Sequence, residues 1–127
     1  MILIDTSVWV DHLRVSDKAL ARLLDTGMVL AHTFVIGELA LGNLRQREIV
    51  LSALADLPQA SVATDAEVLH FIERHALFGC GIGYVDAHLL AAAQLTAGAE
   101  LWTNDKRLHG VAVKLRLAFT PRQHRGS

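Results

Sequence analysis

The sequence predicts an α/β domain in which a parallel sheet carries helices on both faces. Short apolar runs, typical of buried strands, alternate along the chain with stretches in which apolar residues recur at helical spacing. The 127 residues are enough for one domain with a single core, and a hydrophobic content of 52% excludes a disordered chain. Residues 1–127 are therefore expected to form one domain.

The first half of the chain is predicted to hold two strands and four helices. Ile2–Ile4 is too short and too β-branched to be a helix of its own, so it reads as the first strand. Ser16 or Asp17 caps the second helix, and Gly27 ends it. The second strand is expected at residues 28–31, and the other helices are expected at 8–13, 34–41 and 48–57.

The second half is predicted to complete a sheet of four to five strands. Thr64 and Glu67 have the spacing of a capping box at the start of a helix. The longest helix is expected at residues 83–97, whose alanine and leucine content predicts burial on most sides. A further helix is expected from Lys106, and strands are expected at residues 60–63, 100–103 and 115–119, the last as an edge strand.

Composition narrows the class of protein. No apolar run reaches 18 residues, and the amino terminus lacks the basic region of a signal peptide, so a cytoplasmic protein without a membrane segment is expected. The single cysteine, Cys80, excludes an internal disulfide and a cysteine-rich metal site. The apolar surplus predicts a homodimer or a groove for a protein partner.

The net charge of −1 predicts nothing about nucleic acid, but its distribution is uneven. Beyond Asp105 every acidic or basic side chain other than histidine is basic: Lys106, Arg107, Lys114, Arg116, Arg122 and Arg125. This basic arm is either an RNA-binding surface or a solvated helix face with a loose tail.

Two carboxylates follow predicted strands directly. Asp5 ends the first strand, and Asp105 comes just after the strand that contains Trp102. In an open parallel sheet, ligands bind in the crevice beyond the carboxyl ends of the strands. The alternative is that Asp5, Thr6 or Ser7 only caps the next helix, and Asp105 has the same alternative role.

Two more carboxylates lie in apolar helices. The helical neighbours of Glu38 are apolar or small, so its side chain is expected to point toward the core or a cleft, unless a distant arginine pairs with it. Asp86 lies one turn into the longest helix and is followed by Leu89 and Leu90. A favourable position near the helix amino terminus is the alternative explanation for Asp86.

Together the four acids predict a metal site. Four carboxylates that converge on one crevice repel one another and need a counter-charge, which a hard divalent cation such as Mg²⁺ supplies. His12, His88 and His109 share no ligand spacing and are treated as incidental.

These motifs resemble those of PIN-domain ribonucleases, specifically the VapC-like toxins of bacterial toxin–antitoxin pairs. The resemblance covers essentially the whole chain and rests on four motifs in the family's order: ILI-Asp5-Thr6-Ser7, VIG-Glu38-L, YV-Asp86-AHLLA and LW-Thr103-Asn104-Asp105. It implies a PIN-like three-layer α/β/α domain in which Asp5, Glu38, Asp86 and Asp105 hold Mg²⁺ or Mn²⁺. A hydroxyl residue, Thr6 or Ser7, supports the site, with Thr103 and Asn104 beside it.

The resemblance also implies RNA as substrate and an antitoxin protein as partner. Arg14, Lys106 and Arg107 are the candidate RNA contacts, and Lys106 and Arg107 stand directly beside Asp105. Trp9 and Leu13 are the candidate partner contacts, as part of a groove that also includes the leucines at positions 20, 23 and 24. The alternative for Trp9 is an ordinary core tryptophan.

Three other functions are weighed against this one. A phospho-receiver domain needs an acidic pair after its first strand and an aspartate at the end of its third, whereas here Thr6 and Ser7 follow Asp5 and the third strand ends at Ala63. An aspartyl-nucleophile phosphatase needs a second aspartate at position 7, which is Ser7. A catalytically inactive scaffold that only binds a partner is the remaining alternative.

Overall fold

The structure is a computed structural model, and it describes residues 1–121. Its elements in chain order are β1 (Ile2–Ile4), α1 (Thr6–Arg14), α2 (Lys18–Asp25), β2 (Val29–Leu30), α3 (Thr33–Ala40), α4 (Arg47–Asp56), α5 (Asp65–Arg74), α6 (Tyr84–Leu95), β3 (Glu100–Trp102) and α7 (Lys106–Lys114). The predicted alternation of strands and helices is confirmed.

The strands form a parallel sheet in the order β2-β1-β3, flanked by helices. Ile2 pairs with Val29 on one side and with Glu100 on the other, so the central strand is β1. Because all three strands run the same way, their carboxyl ends meet at one edge of the sheet. The Asp5 amide donates to the carbonyl of Trp102 over 2.9 Å, which holds the chain after β1 against the end of β3.

Two expected strands are reduced to single bridges. The segment predicted as a strand at 60–63 is represented by one parallel bridge between Ala31 and Gln59, and the segment at 115–119 by one between Leu101 and Ala118. The α/β fold class is confirmed, but the continuous sheet has three strands within residues 1–121. Apolar composition alone does not extend a ladder, because strand formation depends on the neighbouring packing.

Local signals at the helix ends are largely confirmed. Thr64 and Glu67 form the predicted capping box, with Glu67 N donating to Thr64 Oγ1 over 3.1 Å and Thr64 N donating to Glu67 Oε1 over 2.8 Å. Two boundaries differ: α1 begins two residues earlier than expected, at Thr6, and α6 ends at Leu95. Within residues 1–121, no helix has the length and apolar character that crossing a bilayer requires.

Several residues of the predicted partner groove belong to the core or pack against it. All three residues of β1 are buried, and α6 buries seven residues against the sheet and its neighbours. Trp9 is 4% exposed and Leu20 is fully buried, while Leu23 and Leu24 pack against the same core. Trp9 and Leu20 therefore fill the interior, which is the core alternative for Trp9, whereas Leu23 and Leu24 are partly buried.

Candidate active site

Asp5 is a buried carboxylate at the carboxyl end of the central strand. It stands at the N-cap position of α1, but its side chain makes no capping hydrogen bond. Instead Oδ2 accepts hydrogen bonds from Ser7 Oγ and Thr103 Oγ1, both over 2.7 Å. The capping alternative therefore does not account for Asp5, whose carboxylate is held by two hydroxyl groups at 7% exposure.

The two hydroxyl groups connect the ends of β1 and β3. Ser7 Oγ accepts from the Asn104 amide over 3.0 Å, and Thr103 Oγ1 accepts from the Asp105 amide over the same distance. Each hydroxyl thus receives a backbone N–H and donates its own hydrogen to Asp5, which sets the direction of the bond. The network orients the carboxylate before any ligand arrives.

Glu38 lies on α3 and faces a cleft. Its side chain is exposed, so of the two predicted orientations the cleft is correct and the core is wrong. Thr6 Oγ1 donates to Glu38 Oε1 over 2.6 Å. Thr6 and Ser7 therefore serve different acids: Ser7 contacts Asp5, and Thr6 ties Glu38 to the start of α1.

Asp86 has a carboxyl group whose pKa is raised above its ordinary value. Burial is the largest cause that raises the pKa of its carboxyl; the Gly83 amide, which donates to Oδ2 over 3.0 Å, opposes it. The negative charges of Asp5, Asp105 and Glu38 each raise that pKa further. The charges of the three other acids thus act on Asp86, and Asp86 also has its alternative role at the amino terminus of α6.

Asp105 has its alternative role as the N-cap of α7. Its Oδ1 caps α7 by accepting from the Leu108 amide over 2.9 Å. Its charge also contributes to the raised pKa of Asp86. The side chain is exposed, in contrast to that of Asp5.

The oxygen atoms of these acids and hydroxyl groups are chemically suited to a hard divalent cation, but the acids are not spaced to hold one. Carboxylate and hydroxyl oxygens are the ligands that Mg²⁺ prefers, and a cation would relieve the repulsion that raises the pKa of Asp86. Within residues 1–121, however, no three histidine, cysteine or acidic side chains stand close enough together to hold one ion. Glu38 and Asp105 are both exposed, but Glu38 is bonded to Thr6 and Asp105 caps α7.

Sequence reasoning missed Asp11. This exposed acid lies one helical turn after Ser7, and its Oδ2 accepts from Asn104 Nδ2 over 2.8 Å. The signal was available, since positions 7 and 11 share one face of α1. Asp11 therefore orients Asn104, which was predicted to support the site.

Basic and apolar side chains line two clefts beside the acids. A cleft of about 740 Å³ lies between α1 and the α3–α4 connection. It is lined by Thr6, Val10, Leu13, Arg14, Glu38, Leu39, Gly42, Asn43, Leu44, Arg45, Gln46 and Val50. Lys106 lines a smaller cleft of about 270 Å³ that also includes Asp105 and Phe119. Arg122 and Arg125, the end of the predicted basic arm, lie outside the described residues.

Two buried histidines occupy the next strand end. His32, fully buried after β2, accepts from the Phe34 amide through Nδ1 over 3.0 Å. Burial, followed by the nearby His88, lowers the pKa of His32 to about 4. His88 is 2% exposed and approaches Asp65 Oδ1 at 3.3 Å, so it is a packed residue of α6 and not an isolated surface histidine.

Comparison with known proteins identifies the family. Residues 2–114 match the family model of the PIN domain. The chain is 48% identical over 119 residues to Ribonuclease VapC32 of Mycobacterium tuberculosis, in strains H37Rv and CDC 1551, and the match covers 94% of this chain and 96% of that protein.

Two solved structures share the fold. FitAcB from Neisseria gonorrhoeae superposes with a TM-score of 0.61 at 20% identity, covering 89% of this chain and 94% of that one. FitAB bound to an IR36 DNA fragment superposes with a TM-score of 0.62 at 17% identity, covering 98% of this chain and all of that one. The match of nearly the whole chain, the parallel sheet and the four ordered acidic motifs lead to one conclusion: this protein belongs to the PIN-domain family, among the VapC-like proteins.

Proposed function

We propose that the protein is a Mg²⁺-dependent endoribonuclease and the toxin of a toxin–antitoxin pair. The observation that carries this proposal is the concentration of negative charge around Asp86: beyond its burial, which is the largest cause, the charges of Asp5, Asp105 and Glu38 each raise the pKa of its carboxyl. The identity to a protein named as a ribonuclease supports RNA as the substrate.

Asp5, Glu38, Asp86 and Asp105 would hold the cation, with Mn²⁺ as a substitute. When bound, the cation supplies positive charge for the phosphate and lowers the pKa of water at the site. The protein's own part is to fix Asp5: Ser7 and Thr103 occupy one carboxylate oxygen and aim the other away from them. Thr6 limits the positions of Glu38 in the same way.

Basic residues on either side of the acids are the proposed RNA contacts. Arg14 lines the larger cleft together with Glu38, and Lys106 lines the smaller one together with Asp105. Both side chains are exposed, so each is free to meet a phosphate. A single strand that runs from one cleft to the other would pass the acids, and unpaired loops of structured RNA have this form.

The larger cleft is the proposed antitoxin site. Val10 and Leu13 are 42% and 40% exposed along its α1 wall, and Arg14 and Glu38 add charge of both signs. An amphipathic segment of a partner would bury these apolar side chains and place a basic group against Glu38. Leu13 keeps its predicted role here, while the buried Trp9 supports the wall from behind.

Further exposed apolar side chains support the proposed homodimer. Leu41, Val15 and Phe78 are 90%, 79% and 67% exposed, and a second copy of the chain would cover apolar side chains of this kind. The proposed compartment is the cytoplasm, where RNA is accessible.

Cleavage of a synthetic single-stranded RNA tests the enzymatic proposal. We expect cutting with Mg²⁺ or Mn²⁺, none with a chelator, and none by Asp5→Asn. Asp25→Asn is the matched control, because Asp25 ends α2 just before β2 and therefore lies at the opposite edge of the sheet. Undiminished cutting in chelator would contradict the metal assignment, and partner binding without any cutting would favour the inactive scaffold.

Co-purification with the protein encoded immediately upstream tests the partner proposal. We expect that protein to inhibit cleavage and Leu13→Asp to weaken the complex. Leu69→Asp is the control, because Leu69 is an exposed leucine of α5 that does not line the larger cleft. Equal effects of the two variants would place the partner elsewhere.

A further inference from the structure

Arg107 does not extend freely from α7; its side chain lies across the backbone of Gly81. A methyl group built on Gly81 would stand 2.8 Å from Arg107 Nη1 and 3.0 Å from Cδ. The distance to Nη1 is shorter than real Cβ contacts, so the Arg107 side chain would have to shift to admit any side chain at position 81.

This contact joins two turns that each carry an acid of the site. Gly81 belongs to the loop before α6, and two residues later the Gly83 amide donates to Asp86 Oδ2 over 3.0 Å. Arg107 belongs to the first turn of α7, where Asp105 caps the helix. The position of the loop relative to α7 therefore affects the distance between Asp86 and Asp105.

Two features favour glycine at position 81: the backbone conformation and the contact with Arg107. Gly81 has a φ of +81°, which strains any other residue, and it also receives Arg107. Gly79 has a similar φ of +74° but has nothing within 4 Å of the position of a Cβ. The two glycines thus differ in the arginine contact while sharing the backbone requirement.

We propose that Arg107 is a positioning residue, which through Gly81 holds the loop before α6 against α7 and so sets the position of Asp86 relative to Asp105. This inference rests on the proposed metal site. It replaces the phosphate contact expected for Arg107 from the sequence, while Lys106 keeps that role. In the described residues, Arg107 forms no ion pair with an acid, so its contribution comes from packing.

The first test measures the contact itself, without metal. Gly79→Ala and Gly81→Ala are compared by thermal unfolding in the presence of chelator, each in the parent chain and in Arg107→Ala. We expect Gly81→Ala to lower Tm more than Gly79→Ala in the parent chain, and the two losses to become equal once Arg107 is removed. If Gly81→Ala still lowers Tm more than Gly79→Ala in the Arg107→Ala background, the Arg107–Gly81 contact does not contribute to stability.

The second test measures Mn²⁺ affinity by calorimetry or electron paramagnetic resonance. Loss of a positive charge near the acids would by itself tighten cation binding, whereas loss of spacing weakens it. We therefore expect Arg107→Ala, Arg107→Lys and Gly81→Ala all to weaken Mn²⁺ binding by roughly tenfold, and Gly79→Ala to do so much less. Tighter binding by Arg107→Ala, or full affinity in Arg107→Lys, would overturn the proposal in favour of a charge effect.

The two tests separate this proposal from the proposed function. A parent protein that binds no Mn²⁺ and cuts no RNA would contradict the metal site and with it the spacing role, while the unfolding comparison would still report the Arg107–Gly81 contact. Normal Mn²⁺ affinity combined with a raised KM and a flatter salt dependence in Arg107→Ala would return Arg107 to phosphate binding.

Discussion

The residues that follow β1 and β2 occupy equivalent positions in the fold, but one is an acid and the other is a histidine. Asp5 and His32 are both buried and both stand in extended conformation at the N-cap of the helix that follows their strand. Asp5 makes no capping bond and is surrounded by hydroxyl donors, whereas His32 caps α3 and lies beside another histidine. The edge of a parallel sheet thus offers equivalent positions, and the neighbours decide which one carries a charge.

The difference has an electrostatic origin. Two hydroxyl hydrogen bonds replace part of the water that Asp5 loses on burial, so a carboxylate can remain there. His32 receives no acidic partner, and its Nε2 has no hydrogen-bond partner in the described chain. A neutral imidazole is therefore the stable form, which is suited to packing and not to holding a cation.

The largest expected effect comes from removing the charge of Asp5. Asp5→Asn keeps an oxygen that accepts from Ser7 and Thr103, so the fold should remain while cleavage falls by roughly a thousandfold, equivalent to about 4 kcal/mol. Single-turnover kinetics with Mg²⁺ measures the loss, and circular dichroism checks the fold. His32→Asn is the matched variant at the next strand end; if it loses cleavage as completely while folded, the comparison fails.

Replacing Trp9 tests the packing of the core against α1, the helix that follows Asp5. Trp9→Ala should destabilise the protein by about 3–5 kcal/mol, because it removes a large side chain that is 4% exposed. Urea unfolding measures the change, with Leu13→Ala as an exposed control on the same helix. A small loss of stability together with a lost partner complex would restore Trp9 as a partner anchor.

His32 should make the protein sensitive to mild acid. Its pKa lies below the ordinary value of 6.5, at about 4, so the unfolded chain takes up the proton first. The stabilisation is complete above pH 6.5 and is lost as the pH falls toward 4, by roughly 3 kcal/mol in total. His32→Asn, which preserves a capping side chain, should flatten the stability profile in this range; an unchanged slope would assign the sensitivity to other groups.

Thr103 tests whether the hydroxyl groups preorganise Asp5. Thr103→Val keeps the shape but removes the donor to Asp5 Oδ2 and the acceptor of the Asp105 amide. We expect cleavage to fall about tenfold. Thr96→Val is the control, because Thr96 bonds only a carbonyl of its own helix, α6. Equal activity of the two variants would mean that the cation alone orients Asp5.

The smallest effect concerns Asp86 without metal. Because its pKa is raised, the ionised carboxyl costs the folded state stability, and this cost appears as the pH rises through the raised pKa. In chelator at neutral pH, Asp86→Asn should raise stability slightly, and the gain should vanish below the ordinary pKa of 3.8. Asp56→Asn, an exposed acid of α4, should show no gain. A gain that survives at low pH would have a cause other than charge.

Features that depend on neighbours a few residues apart could be predicted from the sequence. Strand and helix periodicity, the capping box at Thr64 and the placement of Asp5 after β1 all follow from local spacing, and the ordered acidic motifs identified the family. Strand length was less predictable: residues 60–63 and 115–119 have strand-like composition but form only single bridges at Gln59 and Ala118, because a ladder requires a partner at the right register.

The contacts between side chains that are distant in sequence depend on how the strands and helices pack. Thr103 and Asp5 are 98 residues apart in sequence, and the pairing of β1 with β3 alone brings them within 2.7 Å. The same long-range packing buried Trp9, concentrated the acids' repulsion on Asp86 and laid Arg107 across Gly81. Burial and electrostatic potential are sums over the whole fold, so no local pattern of residues can encode them.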